Sequence, residues 1–179
     1  MNNGIASVKL LDFQGYEGRG RGSINVKANK KPYLISSKFE LSNINAEPLL
    51  SDAAGFDKLL GKGQLAWNLS TTGISQRDFV SQLNGEFDFS FVDGAVKGAN
   101  LAAIAKSASN LMSGNLAAVS LDSDFSNAEK TDFAALTGTF TIVNGVANTN
   151  NISLDNPFVR VSGKGDIDLP KTNVAMHII

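Results

Sequence analysis

No cysteine occurs in the 179-residue chain, and its one histidine, His177, stands two residues from the last. A disulfide framework and a thiolate metal site are therefore excluded. A tetrahedral zinc site would have to be built mostly from carboxylates, an uncommon solution, so no metal is expected. Neither a Ser-His-Asp nor a Cys-His nucleophile can be assembled, and no catalytic residue or cofactor is expected. Charge of one sign is lacking too: 16 basic against 17 acidic residues leave a formal net charge of -1. Such a balance gives no global pull toward nucleic acid, and none is expected as a partner. No apolar run approaches the roughly 20 residues needed to cross a bilayer as a helix. The start, Met1-Asn2-Asn3-Gly4, has neither the basic nor the apolar region of a signal peptide. At the other end Met176-His177-Ile178-Ile179 breaks off inside an apolar stretch. The expectation is a single unit over 1–179 that is a fragment of a longer protein.

What the chain does have is glycine, with 17 residues, and many Asn, Ser and Thr, which suits numerous strands joined by tight turns. Period-two alternation dominates. Ile24, Val26 and Ala28 alternate with Ser23, Asn25 and Lys27, and Ile35, Phe39 and Leu41 share a face opposite Ser36, Lys38 and Glu40. Leu65, Trp67 and Leu69 alternate with Ala66, Asn68 and Ser70, and Phe87, Phe89 and Phe91 with Glu86, Asp88 and Ser90. Near the end Val159, Val161, Ile167 and Leu169 oppose Arg160, Ser162, Lys164, Asp166 and Asp168. One apolar and one polar face per segment is the pattern of an antiparallel sheet wet on one side. Asp93-Gly94 and Asn144-Gly145 both tolerate positive φ, so both are read as type I′ hairpin turns, with a third reversal at Asp155-Asn156-Pro157.

Three helices are expected between the strands. One carries Pro48 in its first turn, with Leu49, Leu50, Ala53 and Phe56 inward. A second runs from Ser75 to Leu83 behind a capping-box variant, Ser75-x-x-Asp78, and turns Phe79, Val80 and Leu83 to one side. A third spans Leu101 to Met112, with Asn100 as N-cap and Gly114 past its end, and the polar stretch 113–130 reads as a loop. The predicted fold class is a β-rich α+β domain: a curved, mostly antiparallel sheet with one apolar face and about three short helices on or beside it.

Chemistry-bearing motifs give little. Asp122-x-Asp124-x-Ser126 opens like a calcium loop but lacks Gly at its sixth position and Glu at its twelfth. Gly18-Arg19-Gly20-Arg21-Gly22 lacks a phosphate-loop lysine and opens no helix, so it reads as flexible strand entry. Asp166 and Asp168 point one way along a strand as two solvated carboxylates. Lys9, Arg19, Arg21, Lys27, Lys30, Lys31 and Lys38 form a basic bias with few acids between them, either a solvated face or a contact for lipid phosphates or a negative partner surface.

Several of these segments, in order, resemble the C-terminal region of the AsmA family. They include Leu60-Gly61-Lys62-Gly63-x-Leu65, Thr71-x-Gly73-Ile74-Ser75, Leu83-Asn84-Gly85 and Asp93-Gly94-Ala95-Val96-x-Gly98-x-Asn100-Leu101. Thr131-x-Phe133-x-x-Leu136-x-Gly138, Asn144-Gly145-Val146 and the run from Asn156-Pro157-Phe158 to Asp168-Leu169 follow. Upstream, Tyr16-x-Gly18-x-Gly20 and Pro48-Leu49-Leu50 also fit. The resemblance implies a periplasmic segment of a Gram-negative envelope protein, tethered to the inner membrane by a helix outside this chain. It implies a role in outer-membrane assembly and envelope lipid homeostasis, with a β-groove that carries phospholipid, and no catalytic residues. Joined to the alternation, it nominates Leu65, Trp67, Leu69, Phe87, Phe89, Phe91, Phe140, Ile142, Val161 and Ile167 as a lipid-binding face lining a concave channel. The partners expected are a phospholipid or other envelope lipid; the alternative is a structural module that docks an envelope protein.

Overall fold

A computed structural model describes residues 4–98, 130–157 and 160–178. The third expected helix, Leu101 to Met112, and the acidic motif at Asp122 lie outside them. Nine strands make up one open, curled sheet: β1 (Ile5–Gly15), β2 (Gly18–Lys27), β3 (Tyr33–Asn45), β4 (Leu59–Gly73), β5 (Asn84–Lys97), β6 (Lys130–Val143), β7 (Val146–Asp155), β8 (Arg160–Asp168) and β9 (Asn173–Ile178). Their spatial order is their chain order, and every neighbouring pair is antiparallel. Two helices are present among the described residues, α1 (Ala46–Ala54) between β3 and β4 and α2 (Gln76–Ser81) between β4 and β5.

The turn at Asn144-Gly145 is the hairpin its residues predict: Val143 faces Val146, and φ is 49° at Asn144 and 76° at Gly145. The pairing of Asp155 with Arg160 bears out the third reversal. Asp93-Gly94 is a correction. It lies inside β5, where Leu60 pairs with Ala95 and Lys62 with Val92, so two residues of β5 oppose Gly61 alone. This bulge, like a type I′ turn, holds a residue at positive φ, here Asp93 at 48°, and the dipeptide alone does not separate the two. Conversely the β1–β2 hairpin turns on Tyr16-Glu17, at φ 50° and 64°, two side chains that carry no turn signal.

Three further bulges keep company with the one in β5. β1 inserts a residue between Leu10 and Phe13, β3 between Leu41 and Ile44, and β7 between Thr149 and Ile152. All four bulged strands run in the same direction. An inserted residue bends its strand and increases the local twist, which accounts for the curl of the sheet. In β7 the bulge leaves a ladder donor to be satisfied, and Asn151 Oδ1 accepts the Thr139 N–H at 3.0 Å.

Both helices lie over the apolar face, at opposite ends of the strands. α1 packs Ala46, Leu49 and Leu50 onto the core cluster of Leu41, Ile44, Leu59, Leu65, Phe91 and Phe133. Gly55, at φ 65°, closes it, and its N–H donates to the Ser51 carbonyl. Ala53 and Phe56, expected inward, are exposed, because the helix is only two and a half turns long and they lie beyond the stretch that reaches the sheet. α2 sets Phe79 beside Gly73 of β4, and the Thr71 hydroxyl donates to the Phe79 carbonyl at 2.6 Å. Its start is the capping box read from the sequence: the Asp78 N–H donates to Ser75 Oγ at 3.2 Å, and Asp78 Oδ2 accepts the Ser75 and Ile74 N–H groups, each at 3.1 Å.

Those donors, Ile74 first and Ser75 next, hold the Asp78 carboxyl below the usual carboxylate range. The folded state thus binds fewer protons there than the unfolded one. Its contribution is complete above the unfolded pKa and is lost as pH falls through the folded value. Asp78→Asn is therefore expected to lower the urea midpoint more at neutral pH than in acid. Ser75→Ala should cost about 1 kcal/mol, read from the same titrations.

Candidate functional site

Residues directly opposite in neighbouring strands share a face, so the register maps the apolar surface residue by residue. Leu65 faces Phe89, Trp67 faces Phe87, and Gly63 faces Phe91. Phe87 in turn faces Phe140, Gly85 faces Ile142, and Leu136 pairs with both Phe91 and Leu154. Leu154 faces Val161, and Ala147 faces Ile167. All ten side chains nominated from the sequence thus stand on one face. Leu65, Phe91 and Ile142 are buried in it, while Trp67, Leu69, Phe87, Phe89, Phe140, Val161 and Ile167 are half-buried.

The face extends further than those ten. Phe39 and Leu41 of β3 continue it from Trp67 and Leu65, and β2 and β1 carry it on through Ile24 and Val8. On the other side Ile167 pairs with Val174 and Gly163 with Ile178. At the outer strands it stands open to solvent: Val8 is 53% exposed, Val174 61% and Ile178 70%. Phe39 and Leu41 showed the alternation but were left out of the nominated set. Val8 and Leu10 were masked by the break in period at the β1 bulge.

Glycine and phenylalanine pave this surface together. The places where Gly20, Gly22, Gly63, Gly94 and Gly138 would carry a Cβ are occupied by the rings of Phe13, Phe39, Phe91, Phe133 and Phe89. A ring lying across the neighbouring strand's glycine covers backbone that would otherwise be bare. Ring planes stay within 27–35° of each other from Phe39–Trp67 through Phe87–Phe89–Phe91 to Phe89–Phe140. The Trp67 indole N–H, the one polar atom among these aromatics, donates to Ser37 Oγ at 3.2 Å. Gly63 and Gly138 therefore lie within strands. So do Gly20 and Gly22, expected as flexible strand entry: all three glycines from Gly18 to Gly22 belong to β2.

Comparison with known families settles the kinship of this surface: the model of the AsmA family matches residues 1–152. The chain belongs to the AsmA family. Membership associates it with the cell envelope. No curated protein and no solved structure matches the chain. No helix of the described residues is long and apolar enough to cross a membrane.

The opposite, polar face of this AsmA-family sheet holds a hollow of about 610 Å³. Its walls come from triplets such as Arg19–Arg21, Gln64–Ala66, Asp88–Ser90 and Thr137–Thr139, whose outer members point away from the apolar face. The bulge residues Leu11, Asp12, Ser42 and Asn151 complete it, with Leu11 85% exposed. Arg21 is paired with Glu40, and the Thr139 hydroxyl donates to Asp88 Oδ1 at 2.8 Å. Asp166 and Asp168 do not act as a pair: Asp166 accepts from Asn148 Nδ2 at 2.7 Å, and Lys171 bonds Asp168 and holds its carboxyl below the usual range. Among the described residues no group of three or more His, Asp or Glu could hold a metal ion.

Charge is distributed unevenly between the two ends of the strands. At the α1 end five bases have an acid beside them, Lys58 with Asp57, Lys62 with Glu17, Lys97 with Glu47, Lys130 with Asp132, and Arg160 with Asp155, while Arg19 has none among the described residues. At the α2 end the only ion pair among the described residues is Lys171–Asp168.

If the ring over glycine fixes the floor, a branched side chain at Gly138, whose Cβ would fall 2.7 Å from Phe89 Cζ, must displace the ring. Gly138→Val is expected to cost about 1–3 kcal/mol by urea unfolding. Gly15→Ala, with nothing within 4 Å of its Cβ, should stay within about 0.5 kcal/mol.

Proposed function

We propose that this chain is a non-catalytic segment of an AsmA-family envelope protein whose apolar sheet face binds and conducts the acyl chains of a phospholipid. In this reading the segment lies in the periplasm, tethered to the inner membrane by the parent protein, and serves outer-membrane assembly and envelope lipid homeostasis. The observation that carries it is the continuity of one apolar face across the nine described strands, half-buried at Trp67, Phe87, Phe89 and Phe140 and exposed at Val8, Val174 and Ile178. Isolated apolar residues on a surface need no explanation, but a contiguous patch of this extent is the mark of a binding surface. Burial of acyl methylenes contributes about 0.8 kcal/mol each, so part of one chain suffices for docking. α1 and α2 stand over the two ends of the central strands, and between them the face runs across the strands as a track bounded by helices. The hollow on the polar face favours a second reading, a structural module that docks an envelope protein there.

Photo-crosslinking separates the two readings. Probes at Trp67, Phe89 and Phe140 are expected to capture phospholipid in cells, and probes at Glu86, Asp88 and Ser90 are not. In the parent protein Phe89→Arg is expected to abolish function while the purified chain keeps a cooperative melting transition. Absence of lipid adducts from every apolar position, with protein adducts at Asp88 or Ser90, would replace the lipid reading with the docking one.

A further inference from the structure

We infer that the α2 end of the sheet, centred on the β2–β3 loop, is a docking surface for an anionic lipid bilayer. Lys27, Lys30 and Lys31 lie within five residues of chain at that end, all exposed and none in an ion pair. The loop contains no acid, and the nearest acid of the neighbouring connection, Asp78, is committed to its capping box beside Arg77. At the α1 end the same kind of lysine is neutralised by an acid of the chain itself. The difference cannot come from net charge, which is -1 for the whole chain; it is a local excess left for an anion from outside.

Apolar exposure at the same end decides what sort of anion. Ile74, at the tip of the connection into α2, is 62% exposed, and Val143, flanking the Asn144-Gly145 turn, is 57% exposed. A free phosphate or a nucleic-acid backbone offers such side chains nothing. A bilayer offers headgroup phosphates to the lysines and the acyl boundary to Ile74, the combination on which interfacial binding depends. The surface is separate from the polar hollow and does not depend on the apolar face carrying lipid. It could succeed if that reading failed, and fail if that reading held.

The test is co-sedimentation of the 179-residue chain with vesicles of equal parts phosphatidylglycerol and phosphatidylcholine, set against phosphatidylcholine alone. Binding is expected to the anionic vesicles only and to weaken as salt rises. Lys27→Glu, Lys30→Glu and Lys31→Glu together should reduce it by about a hundredfold or more, each lysine near the surface contributing its own share. The milder Lys→Gln set should reduce it less, and the uncharged Ile74→Ser should reduce it without changing the salt dependence. Lys58→Glu with Lys62→Glu, at the α1 end, should leave it unchanged. Failure to bind anionic vesicles, equal binding to neutral ones, or equal losses from the two lysine sets would overturn the inference.

Discussion

A sheet keeps its two faces distinct only while its side chains alternate, and one inserted residue exchanges the faces for everything beyond it. The four bulges of this sheet would each do so. The chain avoids the exchange by shifting its hydrophobic phase at the same place. The inward residues Leu10 and Phe13, Leu41 and Ile44, and Thr149 and Ile152 are spaced by three where the rest of each strand is spaced by two. In β5 the step from Phe91 to Gly94, with the Phe133 ring above it, does the same. Curvature and a continuous apolar face are thereby obtained together, and the helices, the aromatic floor and the proposed lipid track all rest on that agreement.

The same shifts explain how much was legible in the sequence. Fold class, antiparallel pairing, the Asn144-Gly145 hairpin and the α2 capping box all follow from local rules that nothing in the tertiary structure overrides. Asp93-Gly94 was misread because positive-φ chemistry is common to turns and bulges, and the neighbouring strand decides between them. A search for three-residue gaps between apolar positions could have found the bulge. The hairpin at Tyr16-Glu17 could not have been read from its own residues. It is held from outside, by the Tyr16 hydroxyl on Asp52 of α1 at 3.1 Å and by the ion pair of Glu17 with Lys62. For the candidate site, alternation and family likeness sufficed to gather ten residues on one face. The extension into β1 and β9 was missed where the period breaks or the strand is short.

Among the described residues β1 and β9 each pair on one side only, and an edge left unpaired is a liability that proteins manage by bending the strand. β1 is 11 residues long but interrupted near its middle by the Leu11-Asp12 bulge, which leaves no flat template for a second chain. The residue that the β1 bulge turns outward, Leu11, is among the described residues the most exposed large apolar side chain, and it lines the polar hollow. One insertion therefore serves edge protection, curvature and the shape of the second face.

The flat-lying rings have a further consequence for the proposed lipid track. A surface built from upright Leu and Ile side chains is ridged, and a bound chain settles into its grooves. Here glycines set opposite Phe39, Phe89 and Phe91 let these rings lie over the backbone at similar tilt, while Phe13 stands at 74° to Phe39. Such a floor gives an alkyl chain aromatic area whose indole N–H, at Trp67, is already committed to the Ser37 hydroxyl on the same face. Affinity then scales with the length of chain in contact and changes little with its position along the track. That is the energetic profile of movement. A storage pocket requires the opposite, enclosure and a few fixed polar contacts that make one position best.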